Sequence, residues 1–145
     1  MKFICGQQLP DPQSFEPPVK PGNYATAVNV HNYHNSQQVP IRKKAVIALP
    51  EDQPPGQISQ FVGLVLKPDQ ALEIDCEDIA RLLTTAGTKL PPFIKGFVEV
   101  LSPQPLSVTG VYTAQGCNFS NPAVPPTCSG PVSVDVVPEQ PFAGP

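Results

Sequence analysis

The chain has 145 residues and a formal net charge of −3, enough for one domain with its own core but too short to give two halves a core each. Its 9 basic residues do not outnumber its 12 acidic ones, so the excess of positive charge that neutralises phosphates is missing and no nucleic-acid partner is expected. Its 21 prolines lack an amide donor and clash inside a helix, which excludes a helical bundle and leaves short extended pieces joined by turns.

Residues 2–6 read as a short strand. Residues 7–22 carry Pro10, Pro12, Pro17, Pro18 and Pro21 and read as an extended arm, tied along the domain or offered to another subunit. In 24–32 the side chains alternate: Tyr24, Thr26, Val28 and Val30 share one face and Ala25, Ala27, Asn29 and His31 the other, the pattern of a half-buried strand. A polar turn at 33–36 and a second strand at 38–49 predict a hairpin, with Pro40 marking an edge or a bulge. Two further strands are expected at 60–66 and 71–75, around a Pro68-Asp69 turn.

One helix is predicted, around 76–85. Asp75 is its cap, Cys76, Ile79, Ala80 and Leu83 recur at helical spacing, and Gly87 stands where the helix would stop. Residues 93–101 place Ile94, Gly96, Val98 and Val100 on one face, and a run from Leu106 to Thr113 follows the turn 102–105, so a second hairpin is expected there. Val132, Val134 and Val136 alternate with Ser133, Asp135 and Val137 in a last strand, and a Pro-rich tail occupies 137–145. Seven or eight short strands with frequent turns define an all-β chain, a single two-sheet sandwich of the immunoglobulin-like or jelly-roll-like kind with one short helix.

Candidate chemistry is sparse. Four cysteines permit two disulfides; Cys117 with Cys128 would close a polar loop, and Cys5 with Cys76 would tie the first strand to the helix. Both bridges together imply an oxidising, extracellular or cell-surface location, whereas reduced thiols imply a cytoplasmic one. The opening from Met1 to Cys5 is too short for a signal peptide, which implies a cytoplasmic protein or numbering from a mature or trimmed end. No apolar run is long enough to cross a bilayer, so no membrane span is expected.

His31 and His34 form an HxxH pair that could share a metal with a carboxylate, but no third ligand is near in sequence and a solvated pair is the simpler reading. Asp75, Glu77 and Asp78 resemble a calcium site by charge alone and fit the first turn of a helix better. Arg42-Lys43-Lys44 reads as a solvated or edge-protecting run. Asn118-Phe119-Ser120 matches the glycosylation sequon. No nucleophile elbow or acid-base pair stands out, so no enzyme and no cofactor are expected.

The strings YATAVNVHNYHN, LKPDQALEIDCEDI and KGFVEVLSPQPLSVTGVYTA resemble a group of small bacterial β-sandwich proteins that share a KFxCG-like opening and carry no established biochemical role. In pattern alone, 28–32, Lys67-Pro68 and 102–108 are similar to elements of the sensory rhodopsin transducer family, which would imply a small oligomeric β-sandwich that binds a ligand or transmits a signal. The reading of the residues themselves is a structural subunit that self-assembles, as a homo-oligomer or polymer, into an extracellular filament or surface layer through its arm or an open sheet edge.

Overall fold

A computed structural model describes residues 1–10, 19–84, 89–117, 128 and 132–138. Its elements run β1 (Lys2–Gln8), β2 (Gly22–His31), β3 (Val39–Ile47), β4 (Val62–Leu66), β5 (Ala71–Ile74), α1 (Cys76–Leu83), β6 (Phe93–Leu101), β7 (Ser107–Gly116) and β8 (Val132–Pro138). The chain is all-β with one short helix, as its sequence implies. The ends of the expected arm belong to strands, Gln7 and Gln8 to β1 and Gly22 to β2, and the expected tail begins inside β8. Residues 11–18 of the arm and 139–145 of the tail lie outside the described residues, as do Gly87 and Asn118.

The strands join in one sheet in the order β4-β3-β6-β1-β2-β7-β8, and β5 pairs with β2 beside that path. Every ladder is antiparallel. Two blocks are visible within it, β4-β3-β6-β1 and β5-β2-β7-β8. The rung set Gly6↔Tyr24, Gln7↔Asn23 and Gln8↔Gly22 joins them. The hydrogen bonds therefore link the layers into one continuous sheet and do not divide it into two.

Both blocks turn apolar faces inward. Val28, Val30 and Ile74 from one meet Phe3, Val39, Ile41, Ala45, Leu66, Ile94 and Val98 from the other in a single buried cluster. Each fully buried Val, Ile or Leu stabilises the fold by roughly 1.5–3 kcal/mol relative to exposure. Helix α1 adds Ile79, Leu82 and Leu83 to that cluster and packs on β1, β2, β3 and β5. The Asp75 carboxylate accepts from the Asp78 amide at 2.8 Å, which satisfies one of the free donors of the first turn. Glu77 and Asp78 sit in that same turn, where the positive end of the helix favours them, and Arg81 pairs with Asp78 at 2.7 Å.

Neither predicted hairpin forms. β2 pairs with β1, β5 and β7, and β3 pairs with β4 and β6; β6 and β7 likewise lie in different blocks. The reason is the core. Val28 and Val30 join Val39 and Ile41 in one buried cluster although their strands share no ladder, so the chain at 32–38 crosses from one block to the other instead of folding back in plane. Segments 67–70 and 102–106 arch in the same way. Turn composition signals a reversal of direction; it does not specify whether the flanking strands share a ladder. Because β4 and β6 flank β3 on both sides, Arg42-Lys43-Lys44 protects no edge, contrary to the sequence expectation.

Gly6 is where β1 changes partner. It is paired with Phe93 of β6 on one side and Tyr24 of β2 on the other, its φ is +95°, and an added Cβ would stand 1.9 Å from the Pro92 carbonyl oxygen. Only glycine accommodates both conditions. Gly6→Ala is expected to destabilise the fold by about 2–4 kcal/mol, read as a lowered urea midpoint with unchanged m-value; a loss below about 0.5 kcal/mol would show that the hand-over does not need glycine.

Candidate functional site

Three features of the described residues could carry function: a polar knot on the arches, two apolar sheet edges and a lateral cleft. The knot is built from the segment after β2. Asn32 follows Thr26, Val28 and Val30 on their inward face, and its side chain is fully buried. Its amide nitrogen lies 2.9 Å from the Gln37 carbonyl, 3.1 Å from that of Leu66 and 2.9 Å from that of Lys67. Its Oδ1 accepts from the His34 amide at 3.2 Å, and its backbone amide donates to Gln70 at 2.9 Å. One side chain therefore binds the 32–38 arch to the 67–70 arch, where Asp69 takes the left-handed φ of 55°.

The two histidines serve the same knot. His31 Nε2 meets Asp69 Oδ1 at 2.9 Å. His34 Nε2 donates to the Pro105 carbonyl at 3.0 Å and its ring stacks on Tyr33. The imidazoles are thus taken up by different arches, and no group of three His, Cys, Asp or Glu suited to a metal occurs among the described residues. Asn32 itself escaped the sequence reading although its phase announced it, since even numbers from 26 to 30 face the core.

The cysteines pair as expected. Cys5 and Cys76 are joined at 1.99 Å and Cys117 and Cys128 at 2.08 Å. Asn23 donates its side-chain amide to Cys128 Sγ at 3.0 Å, which holds the second bridge against β2. Two such bridges are compatible with an oxidising, extracellular location.

Among the described residues β4, β5 and β8 are each hydrogen-bonded to a single strand, and β4 and β8 are the two ends of the seven-strand path. Both are apolar. β4 reads VGLVL without a charge, with Val62 and Val65 43% and 53% exposed. β8 carries Val132, Val134 and Val136 at 57–59% exposure, with Asp135 as its one charge. The basic cluster lies instead on the internal strand β3, where Arg42 and Lys44 stand over the Phe61 ring at 4.6 and 4.8 Å and Lys44 pairs with Glu99 at 3.0 Å.

The cleft, of about 860 Å³, opens between β1–β6 and β7–β8. Lys2, Ile4, Lys95 and Phe97 form one wall, and Tyr112, Ala114, Asp135 and Val137 the other. Tyr112 Oη donates to the Lys2 carbonyl at 2.9 Å and so bridges the walls. Tyr24 stands at the cleft and donates its hydroxyl to the Lys20 carbonyl. Its ring meets Phe93 edge-on at 6.0 Å, and burial raises its pKa above 10.0. Sequence periodicity placed these residues on strands but could not show that two strand faces would stand opposite each other.

No protein-family model, curated protein or solved structure matches this chain.

Two outcomes follow from this geometry. Asn32→Ala leaves the Leu66 and Lys67 carbonyls without their buried donor and is expected to cost about 2–4 kcal/mol, whereas His31→Ala, losing only an exposed pair, should cost under about 1 kcal/mol; equal losses in urea unfolding would refute the ranking. The folded pKa of Tyr24 lies above its unfolded value, so the neutral form is favoured by folding. That contribution is complete below pH 10 and is lost as pH rises through the folded pKa. Stability measured from about pH 9 to 11 should fall less steeply in Tyr24→Phe than in the wild type.

Proposed function

We propose that the protein is a non-enzymatic structural subunit that self-assembles into an extracellular filament or surface layer by adding the edge of one sheet to the edge of the next. The observation that carries this reading is that both ends of the seven-strand path, β4 and β8, are largely apolar strands that carry no lysine. Natural sheets blunt their edges with lysine, proline or a covering element because unpaired amides and carbonyls recruit another chain. Here β4 has no charge at all, while β8 offers three exposed valines on one face. Joining β8 of one copy to β4 of another is a head-to-tail contact, which closes into a ring or runs on as a filament. The Pro-rich segment between β1 and β2 would supply a second means of attachment.

Two disulfides support an extracellular setting. An alternative is a small oligomeric ligand-binding or signal-transducing module, which the cleft favours.

The test uses one lysine on each edge. Val65→Lys and Val134→Lys place an exposed charge where the neighbouring strand would lie and should each abolish large species in sedimentation velocity. Both sites are exposed, so monomer stability should change by less than about 0.5 kcal/mol. Assembly that survives both substitutions would rule out edge addition, and a wild-type chain that stays monomeric at all concentrations would rule out self-assembly.

A further inference from the structure

The cleft between β1–β6 and β7–β8 has a charge pattern that selects a ligand. Lys2 and Lys95 both line it, on one wall, and neither is in an ion pair with another described residue. Facing them is one carboxylate, Asp135. With the N-terminal ammonium of Met1, which also lines the cleft and donates to the Val98 carbonyl at 3.0 Å, the ammonium groups outnumber the one carboxylate and leave positive charge in excess. The strand registers explain the arrangement: Lys2 sits beside Phe97 and Ile4 beside Lys95, so each cation has an apolar neighbour across the ladder. The remaining lining includes Tyr24, Phe97, Tyr112 and Val137.

We infer that this cleft binds an anionic amphiphile, an apolar chain or ring system ending in a carboxylate, with Lys2 and Lys95 at the head and Phe97, Tyr112 and Val137 along the body. A cation would meet like charges at the lysines. The volume of about 860 Å³ lies within the roughly 300–1,000 Å³ of small-molecule sites. Lysine stems lie along apolar surface while their ammonium groups reach water, which suits a ligand whose head stays at the mouth. The inference does not depend on the proposed assembly, since the lining wall of β8 is the Ser133-Asp135-Val137 face and Val132, Val134 and Val136 alternate to the other.

The probes are dodecanoate and dodecyltrimethylammonium, each below its micelle threshold, titrated into the intact oxidised protein by calorimetry and by amide chemical shifts. Dodecanoate is expected to bind one to one, at least about tenfold tighter than the cation, with shifts centred on Lys2, Lys95, Phe97 and Asp135. Lys2→Glu/Lys95→Glu should weaken dodecanoate at least about tenfold and tighten dodecyltrimethylammonium, a change of about 1.4 kcal/mol for each factor of ten. Lys2→Gln and Lys95→Gln, which remove charge without reversing it, should each give part of that loss, and circular dichroism confirms that every variant is folded. Equal affinity for the two probes, no binding of dodecanoate, an affinity untouched by the double variant, or shifts confined to the sheet edges would each overturn the inference.

Discussion

The fold depends on how β1 leaves β2. The two strands share three rungs, and beyond Tyr24 they part, so the edge of β2 is free until β5 takes it up at Val28. Buried backbone in such a gap must find partners. Thr26 provides them: its hydroxyl donates to the Ile4 carbonyl at 2.9 Å and accepts from the Ile4 amide at 3.0 Å, replacing a ladder rung by a side chain. Its own amide points at Cys76 Sγ at 3.2 Å. The Cys5–Cys76 bridge therefore lies in the fork itself, tying the departing strand to the helix that fills the space behind it.

Everything else follows from that fork. Because β1 turns away with β6, β3 and β4, a second layer exists for the chain to arch into, and three arches carry β2, β4 and β6 across. The knot around Asn32 holds two of the arches and His34 reaches the third. Since β2 continues past the fork with β7 and β8 on its other side, the β7–β8 ribbon stands opposite the β1–β6 face, and the cleft is the space between them. Among the described residues β4 and β8 do not pair with each other, which leaves them as the two ends of the seven-strand path.

Much of this was legible in the sequence. The alternation in 24–32 and 93–101 fixed both strands and their inward faces, Asp75 and the apolar spacing after it located α1, and the two cysteine pairs were assigned correctly. Pairing was not legible. The 33–36 and 102–105 turns carry the composition of hairpin turns, yet both are arches, because the deciding term is the long-range contact of Val28 and Val30 with the opposite layer and no local residue encodes it. Lys43 shows the same limit: it lies on the inward face of β3, 9% exposed, although the run around it reads as solvated. Of the functional features, the edges could be foreseen as strands but not as edges, and the cleft could not be foreseen at all, since Lys2 and Asp135 are brought together only by the topology.

The central claim is that copies join through sheet edges, and fibre diffraction from aligned assemblies of the intact oxidised protein tests it most directly. Edge addition makes one sheet run through successive copies, so a reflection near 4.7–4.9 Å should be strong and oriented along the direction of growth. Assemblies without that orientation, or a discrete oligomer that does not grow with concentration, would contradict the account.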